Sequence, residues 1–265
     1  MSASAPTDIA RDVADVALWY HTIDLPDGSA TPGWFDLRPV VGRMLLPDVR
    51  AKRCLDVGTY DGFLAFELER RGAREVVATD LADHRDWDWP ARMRGHGPAG
   101  LAQFAGEKGH GFEVARRLLG SSVQKLELSA YDLSPEVVGT FDVVVCGSLM
   151  LHLREPIRAL EAIRSVCDGC FVSAESIDLG LSVRHPRLPG ARLMADPKLC
   201  QWWLPNVAGH RQMLVTAGFR VQRGTRPYAI PFGVAHPPVT PRFLRRLAAG
   251  GQGAPHAAVL TRPDL

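Results

Sequence analysis

The chain has 265 residues, 46% of them hydrophobic, and a formal net charge of +2. This length and apolar content predict a soluble globular chain of one large domain, or one domain plus a cap. Near-neutral charge argues against the strong basic bias of a dedicated nucleic-acid binder, and no run of about 18 apolar residues marks a membrane span.

The start, Met1 to Asp15, is polar and shows no signal-peptide core. Residues 9 to 20 place Ile9, Val13, Val16 and Ala17 at helical spacing. An irregular segment follows, carrying Trp19, His21, Trp34 and Arg38 among Pro and Gly punctuators. Large apolar anchors on irregular backbone suit a clasp, which either closes over a site or only packs on the core.

The most informative stretch is Arg53-Cys54-Leu55-Asp56-Val57-Gly58-Thr59-Tyr60-Asp61-Gly62-Phe63. A short apolar run enters two glycines four apart and then a helical pattern, as when a buried parallel strand turns into a helix. Phe63 to Arg71 reads as that helix, with Gly72 as its stop. Glu75 to Asp80 is a second buried strand ending on a carboxylate. Asp80 lies 24 residues beyond Asp56, close to the spacing at which nucleotide-binding α/β folds set an acid on ribose hydroxyls.

Residues 83 to 111 form a polar insertion whose histidines (84, 96, 110) are expected at the surface. Val123–Ser129 is a third strand, and its tip offers Tyr131 and Asp132 to cover an adenine ring and accept from its amino group. Phe141–Cys146 is a fourth strand, running through Gly147 to His152, a candidate base at a strand's carboxyl end. Pro156 starts a helix, and Cys170–Ile177 is a fifth strand. Residues 184 to 210 are Pro-rich and hold Trp202 and Trp203, as a cap over an apolar ligand, or else a plug for the sheet's edge, would. Asn206–Ala217 reads as helix, and Phe219–Gln222 and Ala257–Thr261 as the last strands. The five cysteines (54, 146, 167, 170, 200) are scattered, and the Cys167–Cys170 pair has no zinc-spaced partners and reads as a helix–strand turn. They fit a reducing cytoplasm.

Taken together, the strand–helix alternation, Asp56-x-Gly58-x-x-x-Gly62, Asp80, Asp132 and the closing strands resemble class I S-adenosylmethionine (SAM)-dependent methyltransferases over roughly residues 50 to 222 plus the final strand. The family's middle glycine is here Tyr60. Ile23-Asp24, Thr31–Arg38, Tyr131-Asp132 and Leu149–Pro156 are similar to the tRNA wobble-uridine carboxymethyltransferase group. That group's carboxy-SAM contacts are absent: Leu151 stands for a tyrosine, Ala257 for an arginine, and no lysine precedes Lys52. The resemblance therefore implies ordinary SAM, with S-adenosylhomocysteine (SAH) as product.

It also implies a Rossmann-like fold: a mostly parallel seven-stranded sheet, helices on both faces and an antiparallel last strand. The expected organisation is an N-terminal helical clasp or lid (1–50), a SAM-binding core (51–180), a substrate cap and helix (181–215) and a C-terminal strand pair with a loop insertion (216–265). Arg38, Asp56, Gly58, Thr59, Tyr60, Asp80, Leu81, Tyr131, Asp132 and Gly147 are the expected cofactor residues, with Tyr60 lining its methionine end. His152 and then His21 are the candidate bases, and Trp19, Trp34, Trp202 and Trp203 the candidate acceptor lining. The acceptor is expected to be a small molecule, as in secondary metabolism. A tRNA base, approached through Arg242, Arg245 and Arg246, is the alternative, and a catalytically silent SAM-binding partner subunit a second. No membrane partner is expected, and a homodimer stays open.

Overall fold

The computed structural model describes residues 6–91, 107–196, 200–237 and 253–264. Its centre is β1 (Arg53–Val57), with every residue after Arg53 buried. Such a strand can only be internal, and it is flanked in parallel by β2 (Glu75–Asp80) and β4 (Phe141–Gly147). Val57 aligns with both Thr79 and Cys146. The carboxyl ends of three neighbouring strands thus finish level, which brings Gly58, Asp80 and Gly147 to one edge.

The sheet extends in the order β3-β2-β1-β4-β5-β10-β8, with β9 also on β10. Here β3 is Gln124–Glu127, β5 Cys167–Ser176, β8 Phe219–Gly224, β9 Tyr228–Pro231 and β10 Gly253–Pro263. β3, β2, β1, β4 and β5 run parallel; β10 is antiparallel to β5, β8 and β9. The mostly parallel α/β sheet with an antiparallel closing strand is therefore as the sequence led us to expect, with β9 as an additional strand. Alternation along the strands sorts side chains to two faces. Cys54, Val143, Val145, Val172 and Ala174 pack with Phe66 and Phe112 of α2 (Phe63–Arg70) and α3 (His110–Leu119), and with the clasp residues Trp19, Leu37 and Met44. Leu55, Val57, Val144 and Phe171 pack with Leu160 and Leu214 of α5 (Pro156–Ser165) and α7 (Val207–Thr216).

Four expectations need correcting. The leading helix, α1 (Pro6–Ala14), is short; beyond it the clasp is extended backbone held by bridges His21–Phe35 and Phe35–Phe232. Residues 181–215 are not one cap: β6 (Ala191–Asp196) and β7 (Gln201–Pro205) form a separate hairpin, whereas α7 joins the helical layer through Leu214. Cys167 and Cys170 lie inside β5, where the register shifts opposite Phe141–Val143, not in a turn. His84 is buried, at 5% exposure, rather than on the surface. His110 is exposed, while His96 and Arg242, Arg245 and Arg246 lie outside the described residues. Among the described residues, no helix is long and apolar enough to cross a membrane.

Gly62 shows how tightly the first helix is set. It precedes α2 at φ +94°, and a Cβ there would sit 2.4 Å from Phe66 and 2.8 Å from Phe112, whose rings stack on each other. Left-handed backbone plus overpacking predicts that Gly62→Ala destabilises the fold by about 2–4 kcal/mol, read by chemical denaturation.

Candidate functional site

At the level edge, the turn after β1 is built from the inside outward. Asp56 is buried and accepts from Thr59 Oγ1 at 2.7 Å and from the backbone N–H of Ala65. The carboxyl thus caps α2, whose own N-cap Gly62 has no side chain to do so. Burial pushes it up to about 6. Asp56 and Thr59, both expected at the cofactor, therefore face inward and stiffen the turn. Gly58 (φ +76°) and Thr59 donate to Thr79 O at 2.8 and 3.1 Å. Leu149 closes over Gly58, where a Cβ would meet its side chain at 2.9 Å. Gly147 is less constrained: a Cβ there would lie 3.1 Å from Leu64 Cδ1.

Asp80 is the knot of the edge. Its Oδ2 accepts from Tyr60 N at 2.8 Å, and its Oδ1 from its neighbour Leu81 N at 2.8 Å and from Lys108 Nζ at 2.6 Å. Tyr60, at φ +52°, turns its ring toward Tyr20, His84 and the Lys108 ammonium. It therefore borders the Asp80 side of the turn. A narrow cleft opens here between Val16–Leu18, Tyr60, Asp61, His84, Glu107–Gly109 and Gly111. Burial draws His84 down to about 4, helped by the Lys108 charge, so it is neutral at pH 7.

The clasp delivers His21 to the same edge. Asp61, 2% exposed, accepts from the backbone N–H of Tyr20 at 2.8 Å and of His21 at 2.7 Å, and its Oδ1 pairs with His21 Nδ1. A carboxylate on Nδ1 sets that nitrogen as the N–H and leaves Nε2 as the basic one. Tyr20 packs against His21, Trp34, Phe35 and Tyr60. Trp19 is a core residue, its Nε1 donating to Val13 O at 3.0 Å. Trp34 is half-buried beside Tyr20 and His236. Arg38 is paired with Asp24 and Asp36.

A third group comes from the polar insertion and the hairpin. Asp88 accepts from the Tyr131 hydroxyl and from Arg154 N through Oδ2, and from Trp202 Nε1 through its backbone carbonyl. Trp203 donates to Arg154 O at 3.0 Å. His152 donates from Nδ1 to Cys200 O at 3.0 Å and packs on Trp87. Tyr131, His152, Trp202 and Trp203 are thus brought together as a seam between insertion, hairpin and the turn after β4. Asp132 is exposed at the β3 tip and makes no side-chain hydrogen bond among the described residues.

Sequence reading missed Asp61, Asp88, Lys108 and Glu175. Asp61 sits in the turn motif itself and could have been singled out there; the other three carry no local signal. The chemistry on display fits a SAM-type group. Gly58 frees the turn at the strand edge, Asp80 has acceptor capacity of the kind a hydroxyl uses, and Asp132 an exposed carboxylate of the kind an amino group uses.

Comparison with known proteins points the same way. A family profile described as a methyltransferase domain matches residues 36–222. The ubiquinone biosynthesis O-methyltransferase of Acinetobacter baylyi is 25% identical over 166 residues, 61% of this chain and 57% of that protein, so the match spans little more than half of that relative. The N-terminal domain of EvdMO1 with SAH bound shares the fold at a TM-score of 0.60, 14% identity and 98% coverage of both chains. So does Burkholderia thailandensis 1,6-didemethyltoxoflavin-N1-methyltransferase, solved with 1,6-didemethyltoxoflavin and SAH, at 0.52, 17% identity and 86% and 78% coverage.

One buried acid at this edge gives a pH signature. Glu175, 1% exposed at the end of β5, accepts from Met150 N at 3.1 Å and from the Cys146 thiol at 3.6 Å. Burial pushes its carboxyl up to about 8. The folded state then holds a proton that the unfolded chain has already lost, so stability falls as pH rises toward 8. The buried histidines 84, 210 and 256, drawn down to about 4, 3 and 4, act with the opposite sign, an effect that fades as pH rises past their ordinary value of 6.5. Between pH 6.5 and 8 the Glu175 proton alone is expected to cost about 2 kcal/mol of unfolding free energy, read as the difference between wild type and Glu175→Gln. Glu175→Gln flattens that slope; denaturation midpoints at the two pH values measure it.

Proposed function

This chain belongs to the methyltransferase-domain family, and from that membership we propose that it transfers a methyl group from SAM to a small-molecule acceptor, as in secondary metabolism. The observation that carries the reading is the Gly58 turn locked to the Asp80 carboxylate at level strand ends. A nucleoside cofactor needs that pairing of close backbone and strand-end acid. The acceptor class is supported by the similar proteins whose names specify ubiquinone biosynthesis and 1,6-didemethyltoxoflavin, and by the clasp, insertion and hairpin, which wall the edge with Tyr20, Trp34, Trp87 and Trp202.

Each residue has a role in this reading. Asp80 binds the ribose, Asp132 the adenine amino group, and the Gly58–Tyr60 turn the rest of the cofactor. When bound, the cofactor supplies an already activated methyl group. The protein's share is alignment, with water kept out by the clasp and the insertion–hairpin seam. An oxygen acceptor must lose its proton, and His21 is the base: Asp61 fixes its Nδ1–H and would steady the imidazolium formed when Nε2 takes the proton. His152, whose Nδ1 donates to Cys200 O and whose ring packs on Trp87, is read as part of the seam; the Asp61 carboxylate behind His21 is what favours His21.

Incubation with methyl-labelled SAM and an extract, fractionated into RNA, protein and small molecules, should put the label in the small-molecule fraction; label confined to RNA would overturn the acceptor class. With the acceptor in hand, His21→Asn should lower turnover by roughly 10²–10⁴-fold at unchanged SAH affinity. An unaltered rate across pH would return His21 to a structural role.

A further inference from the structure

Hydrogen-bond capacity at Asp80 assigns a residue beyond those above, on the premise that SAM is the cofactor. A carboxylate offers about four lone-pair positions. Three are filled from within the chain, by Tyr60 N, Leu81 N and Lys108 Nζ. One position is left, so Asp80 cannot accept from both hydroxyls of a ribose, as its place at the end of β2 first suggests. An ammonium has three N–H donors. Lys108 spends one on Asp80 Oδ1 at 2.6 Å and one on Leu81 O at 2.8 Å. The third has no oxygen partner among the described residues, although the side chain is only 2% exposed and Nζ lies 5.4 Å from the centroid of the Tyr60 ring. The cleft described above is lined by Lys108 itself.

A vicinal diol matches this remainder, because each hydroxyl can donate or accept. We propose that Lys108 is a second ribose-binding residue, donating its spare proton to one ribose hydroxyl oxygen while Asp80 accepts from the other hydroxyl. The pair then acts as a two-sign clamp. An ammonium already fixed by Asp80 and Leu81 O loses little freedom in making the third contact. A flexible surface lysine would gain far less.

The test is calorimetric titration of SAH, and of its 2′-deoxy and 3′-deoxy analogues, into the wild type and Lys108→Met. On the unaltered protein both analogues should bind more weakly than SAH; weakening by only one overturns the clamp. Lys108→Met should bind SAH roughly 10- to 100-fold more weakly and lose its discrimination against one of the two analogues. Unchanged SAH affinity would make Lys108 a bystander, and tighter binding would make it an internal competitor that the cofactor displaces; either overturns the proposal. Lys108→Arg, which keeps charge and donors, should recover part of the loss. A folded wild type that binds no SAH at all would instead sink the cofactor reading itself, since the clamp is judged on ratios of affinities.

Discussion

The edge of this sheet depends on how the Asp80 carboxylate is satisfied. It ties the turn after β1, through Tyr60 N, to the end of β2 and to the start of α3 through Lys108. An ammonium at 2% exposure is stable only because that carboxylate and a carbonyl face it. Removing either partner would strand the other away from water. Charge pairing and hydrogen bonding at this one point therefore link three elements at the sheet's edge.

Around that knot, two further carboxylates do local work of different kinds. Asp56 looks inward and caps a helix that begins at a glycine. Asp61 looks toward the clasp, taking two backbone N–H groups and one imidazole. Three acids within one strand–turn–strand unit thus divide into a helix cap, a clasp anchor and a strand-edge acceptor. Their roles follow from burial and the direction of the backbone, and not from residue type, which is the same in all three.

The outer walls are held by hydrogen bonds from large side chains to backbone carbonyls, as with Trp202 on Asp88 O and Trp203 on Arg154 O. Indole rings placed this way cover apolar surface while their single donor fixes orientation. Two tryptophans in a Pro-rich stretch suggested a cap in the sequence; what they grip was invisible there, because Asp88 and Arg154 are over a hundred and about fifty residues away in the chain.

By itself the sequence determined the strands, the turn and the carboxylate at Asp80, since these are written in local apolar runs, glycine spacing and strand-end position. It also determined the family, through the same residues. Tertiary structure alone decided which of those side chains face the open edge and which face the core. Asp56 and Thr59 turned inward, His84 was buried, Trp19 became core, and α7 joined the helical layer. It also brought Lys108 to Asp80 and His21 to Asp61, contacts that span 28 and 40 residues. Such pairings obey no periodicity. They arise because a buried charge must find its opposite wherever the folded chain presents it.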